Sequence, residues 1–115
     1  MNYSFSDEYE YIPFNNGNRQ DEKPIEVQLR YMTLPEREES MKVEYVAVEG
    51  ELQKRTSFDH GKILKYSVVS LRNLTVHKQA IITAYELLAI RGLSELCAEI
   101  AEFAVGKNRT PDLKN

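Results

Sequence analysis

A chain of 115 residues, 42% hydrophobic and 29% charged, has the size and composition of one modest domain and is too short for two separate cores. A formal net charge of -3 and a pI near 5.4 argue against a nucleic-acid partner, because no basic stripe is present to neutralise phosphates. No apolar run approaches the ~20 residues that cross a bilayer, no signal-like segment follows Met1, and the lone Cys97 can form no internal disulfide. The expectation is a chain that stays in the reducing cytoplasm where it is made.

Residues 1–24 are polar and aromatic without a period, with Tyr3, Phe5, Tyr9, Tyr11 and Phe14 scattered among Asn, Asp, Glu and Gln. They read as an extended arm whose aromatic rings can bury large apolar areas, either on the chain's own core or on a partner. Asn15-Asn16-Gly17-Asn18 is a turn signal. After Pro24, Ile25, Val27, Leu29 and Tyr31 alternate with Glu26, Gln28 and Arg30, which predicts a strand with one apolar face.

Thr33 stands three residues before Glu36 with Pro35 between them, so a capping box opens a helix near Leu34. Its continuation through Met41 competes with the β-branched run Val43 to Val48, and both readings stay open. Glu51 to Lys62 is polar and contains Gly61, which predicts a surface loop or a loose helix end. Ile63 to Val76 fits either period, with strand favoured for Val68 to Val76.

Thr83 and Glu86 form a second capping box, Ala84 to Ile90 is rich in helix formers, and Gly92 stands where a left-handed C-cap belongs. Leu93, Leu96, Cys97, Ile100, Phe103 and Ala104 then recur at helical spacing, with Glu95, Glu99 and Glu102 opposite and Gly106 as the expected stop. The two helices form an αα-hairpin that must lay its apolar stripe on the strand of residues 25–31 or on a partner. The expected fold is therefore α+β: N-terminal β-strands with a short helix, followed by a C-terminal αα-hairpin. Its parts are an arm over 1–24, one globular domain over 25–106, and a flexible tail over 107–115, which contains Pro111.

Chemistry-bearing patterns are scarce. His60 and His77 are seventeen residues apart with no Cys or second His at ligand spacing, so no metal is expected. Gly61-Lys62 lacks the upstream glycine and the following Ser or Thr of a phosphate-cradling loop. Glu36, Glu38 and Glu39 suit a solvated helix face better than an acid-base pair. Cys97 falls on the apolar stripe, where a small buried hydrophobe is wanted. No catalytic, cofactor-binding or metal residue is assigned.

Several segments resemble the tail assembly chaperones of long-tailed, siphovirus-type bacteriophages. They are Tyr11-Ile12-Pro13 with Asn16-Gly17-Asn18-Arg19, Pro24-Ile25-Glu26-Val27, and Thr33-Leu34-Pro35-Glu36-Arg37-Glu38. Further along come Val69 to Val76, Thr83 to Leu88, Gly92 to Leu96 and the ending Leu113-Lys114-Asn115. Together they span about a third of the chain, each is short, and their order and spacing carry the likeness.

The resemblance implies a non-enzymatic protein of the bacterial host cytoplasm that coats the long helical tape-measure protein and helps tail-tube subunits gather around it, without remaining in the finished tail. The residues it points to for protein binding are Leu87, Leu88, Leu93, Leu96, Ile100 and Phe103, although each also suits the chain's own core. Neither the client nor the oligomeric state is legible. The alternatives are a structural head or tail-completion protein of a phage particle and a small intracellular protein-binding regulator. From another class comes a small enzyme or ligand-binding domain, which would need a polar pocket beside His60 or His77.

Overall fold

The structure, a computed structural model, describes residues 1–4 and 7–109. Phe5 and the end of the expected tail, 110–115, lie outside the described residues.

The expected alternation around residue 27 forms the middle of the main sheet. Strand β2 (Glu26–Arg30) is flanked by β1 (Glu8–Tyr11) and by β5 (Val68–Arg72), both antiparallel to it, in the order β1-β2-β5. Tyr9 faces Leu29, Tyr11 faces Val27, and Val27 faces Leu71, so the inner face is a continuous apolar surface. On the outer face Arg72 bridges Glu26 at 2.6 Å and Glu10 at 3.7 Å, and the Gln28 amide donates to Glu8 at 3.0 Å. Segment 1–24 is thus more than an extended arm. Its alternating Tyr9 and Tyr11 supply a strand of the sheet and two rings of the core, and the connection to β2 is a short 3-10 segment over Asn15–Gln20.

That connection is held by Asn18, which is buried. Its amide donates to the carbonyls of Pro13 (2.8 Å) and Ile25 (3.2 Å), and its oxygen accepts from the Ile25 N–H at 2.7 Å. A buried side-chain amide with its groups satisfied locks the reversal between β1 and β2.

Helix α1 (Leu34–Glu39) starts at Thr33 with both halves of the capping box formed. It ends at Ser40, and the β-branched run after it becomes β3 (Met41–Val48), which answers the open question at 43–48 in favour of strand. The polar segment after residue 50 is a correction: it forms β4 (Glu51–Phe58), paired along its whole length with β3, and not a loop. Register-matched backbone hydrogen bonding across a tight turn outweighs the low strand preference of Gln53, Lys54 and Arg55. Helix α2 (His60–Ser67) follows, capped by the Asp59 carboxylate, which accepts from the Lys62 N–H at 3.2 Å. A small hairpin of β6 (Thr75–Val76) and β7 (Gln79–Ala80) then leads to the C-terminal helices.

Helix α3 (Ala84–Leu88) is capped by Thr83 and ends at Ala89, so Gly92 is not its C-cap; at φ +93°, a conformation strained for any residue with a Cβ, it makes the turn that leads into the last helix. Helix α4 spans Ser94–Arg109, so Gly106 does not end it and residues 107–109 are helical, not tail. Asn108 supplies the reason. Its amide donates to the Ala104 carbonyl at 2.7 Å, and its oxygen accepts from the Met32 N–H at 2.9 Å, tying the last turn to the end of β2. The two C-terminal helices follow one another across Gly92 but do not form the expected αα-hairpin: α4 packs chiefly on α2, and α3 on α2 and β5. The architecture is α+β, with helices on the inner face of a three-stranded sheet.

Candidate functional site

Burial places each candidate residue. Leu87, Leu96 and Ile100 are fully enclosed, at 0%, 2% and 0% exposure, in one cluster with Val27, Leu29, Ile63 and Leu64. Leu88, Leu93 and Phe103 are half-buried and pack on that cluster. The Phe103 ring stacks on Tyr11 with centroids 3.9 Å apart, and Tyr9 lies beside it at 6.1 Å. Of the helical stripe, Leu87, Leu96 and Ile100 therefore belong to the chain's own core and offer a client no surface in this conformation, whereas Leu88, Leu93 and Phe103 lie at the edge of that core, partly exposed. The sheet supplied by residues 8–11 and 68–72 covers that stripe, and neither segment announces its partner locally.

The large apolar side chains left uncovered include a group on the β3–β4 hairpin. Residues opposite one another in an antiparallel pair share a face. Met41 faces Phe58, Val43 faces Thr56, Tyr45 faces Lys54 and Ala47 faces Leu52, so these eight form one face. Tyr45 is 68% exposed, Leu52 75%, Val43 47% and Met41 39%. The other face carries Lys42, Glu44, Glu51, Gln53 and Arg55, with Val46 and Val48 half-buried among them. Among the described residues the hairpin forms a two-stranded sheet of its own, and its main contact with another element is that of β3 with α1.

Its base is anchored. Phe58 packs on the core with the Arg109 guanidinium 5.9 Å from its ring, the Asp59 N–H donates to the Ser40 carbonyl at 2.7 Å, and Lys42 pairs with Asp59 at 3.8 Å. The tip is a two-residue turn in which Glu49 and Gly50 have φ +50° and +83°, the signature of a turn whose twist matches its strands. The site was missed in the sequence because Glu-Gly is a weaker hairpin signal than Asn-Gly. The signal that could have found it is the alternation of Met41, Val43, Tyr45 and Ala47 on one side of Gly50 with Leu52, Lys54, Thr56 and Phe58 on the other.

Open hollows do adjoin both histidines. One of about 260 Å³ is lined by His60, Leu88, Leu93, Ser94 and Cys97 among others, and one of about 270 Å³ by His77, Gln79 and Glu86 with apolar neighbours. Neither gathers the convergent polar groups that fix a small ligand, and a third hollow of about 200 Å³ sets His60, Glu102 and Arg109 beside the apolar Phe58 and Val105. Burial pushes the Cys97 thiol up, which keeps it protonated and unlike an activated nucleophile. Among the described residues no group of three or more His, Cys, Asp or Glu side chains could hold a metal ion, and no helix is long and apolar enough to cross a membrane.

Comparison with protein-family models, with curated proteins and with solved structures finds no match.

Proposed function

We propose that this chain is a non-enzymatic assembly factor that binds another protein through the apolar face of the β3–β4 hairpin. The observation that carries the reading is a hairpin of two eight-residue strands with Tyr45 and Leu52 largely exposed on one face. An isolated two-stranded hairpin is marginal in water, and such a face on an anchored stalk suits an element completed by a partner. Covering Met41, Val43, Tyr45 and Leu52 would contribute roughly 5 kcal/mol before the comparable entropic cost of association. That balance suits weak, reversible contact.

The likeness of the sequence to phage tail assembly chaperones supplies a client of matching chemistry. A long helical tape-measure protein carries an apolar stripe that needs shielding until tail-tube subunits gather around it. In this reading the hairpin, and not the C-terminal helices, does the shielding.

Co-expression with a tape-measure protein tests it. The chain should keep that protein soluble, and the double variant Tyr45→Asp/Leu52→Asp should remove the effect while its own circular dichroism is unchanged. Solubilisation retained by that folded variant would reject the hairpin as the client site. Recovery of the chain from purified virions would favour a structural component of the particle instead.

A further inference from the structure

The hairpin has free edges as well as faces. Val48 faces Glu51 across the two-residue turn, and in such a hairpin the pair flanking the turn exchanges its backbone hydrogen bonds, with the pattern alternating from there. Residues 51, 53, 55 and 57 therefore direct their N–H and C=O groups to β3. Residues 52, 54 and 56 direct theirs outward, from an edge with no strand beside it among the described residues. A helix cannot satisfy such a row, whereas an extended strand can.

We infer that the β4 edge pairs with the β4 edge of a second copy of this chain, antiparallel about a two-fold axis at Gln53. The outward groups meet only in alternate registers, and charge selects among those. An axis at Lys54 sets Lys54 against its own copy, and one at Arg55 does the same for Arg55. With the axis at Leu52, Glu51 meets Gln53 and no opposite charges within β4 face each other. With the axis at Gln53, Glu51 lies opposite Arg55 of the second copy, twice by symmetry. Like charges directly opposite one another destabilise a sheet and unlike charges stabilise it.

The rest of the register agrees. Glu44 already faces Arg55 within each hairpin, so Glu44, Arg55 and the second copy's Glu51 make an alternating row. On the apolar side Leu52 lies opposite Lys54 of the second copy, whose methylenes can cover it. Because opposite residues share a face, the apolar sides of both hairpins join across four strands. The pairing uses the distal half of β4, away from α1 and α2, and the contact is isologous. The face proposed to receive a client is left open, so the pairing does not depend on that proposal.

Sedimentation equilibrium of the full chain from about 10 μM to 1 mM should show a reversible dimer, as a short interface implies. Arg55→Glu should weaken it about tenfold, and Glu44→Arg/Glu51→Arg/Arg55→Glu should restore it, because reversing every charge of the row keeps each pair unlike. In a Cys97→Ser background, Gln53→Cys should cross-link on oxidation, since residues at the axis would stand about 4.5 Å apart at Cα, and Glu49→Cys should not. A wild-type chain that stays monomeric throughout, or a dimer indifferent to Arg55→Glu, overturns the inference. No client is needed, so this result and the client assay fail or succeed separately.

Discussion

At the scale of single residues, two tyrosines one turn of the pleat apart behave oppositely. The Tyr11 hydroxyl donates to Glu99 at 2.5 Å, and the same carboxylate accepts from the N–H groups of Phe14 (2.8 Å) and Asn15 (2.9 Å), so one side chain of α4 holds the exit of β1. Glu99→Ala should cost about 2 kcal/mol in denaturant unfolding, because it strips three donors of a charged acceptor. Tyr11→Phe, which leaves the two backbone donors paired, should cost about half of that. The Tyr9 hydroxyl is buried with no hydrogen-bond partner among the described residues. Tyr9→Phe should therefore be neutral or stabilising by up to about 1 kcal/mol, and a loss above that would show that the hydroxyl has a partner. Burial pushes Tyr11 up to about 12, with the bond to Glu99 adding to it, and pushes Tyr9 higher still. Both phenols are neutral in the folded chain at pH values where the unfolded chain has begun to ionise. The contribution of these two phenols is accordingly level below pH 10 and should be lost as pH rises from about 10 through 12, with a shallower fall in Tyr11→Phe.

At the scale of elements, α2 depends on its first cap and the hairpin on its base. The Asp59 carboxyl is held below its ordinary range, mainly by its hydrogen bond from the Lys62 N–H and also by Lys42. Asp59→Ala should cost about 1 kcal/mol. The stabilisation from the charged form is present above the usual carboxylate pKa and lost as pH falls through the depressed folded value, so Asp59→Asn should flatten the acid limb of a stability profile while keeping the cap. Met41 and Phe58 are paired where the hairpin leaves the body. Replacing residues 42–57 by Asn-Gly should leave the core folded, within about 1 kcal/mol once the lost Lys42–Asp59 pair is allowed for. Ile100→Ala, by contrast, should cost about 3 kcal/mol. Equal losses from the two changes would mean that the hairpin belongs to the folding unit.

At the scale of the whole molecule, the outline is elongated, and the β3–β4 hairpin is expected to account for most of the extension. The radius of gyration is 16.4 Å and the principal extents are 52 × 44 × 24 Å, against about 13 Å for a compact domain of this length. Small-angle scattering at low concentration should show the excess, and excision of residues 42–57 should remove most of it. An excised variant with an unchanged radius would place the extension elsewhere in the chain.

Much of this architecture was legible because its signals are local. The alternation of Val27 and Leu29, the capping boxes at Thr33 and Thr83, the left-handed position at Gly92 and the helical spacing of Leu96 and Ile100 each report on a few neighbouring backbone torsions, which a short stretch of sequence determines by itself. What the apolar stripe of α4 faces is a different kind of question. Leu96 and Ile100 are enclosed because Tyr9, Tyr11 and Leu71 arrive from distant parts of the chain, whereas Tyr45 and Leu52 are left exposed by the described residues. Burial depends on which surfaces meet, and only the tertiary structure decides that.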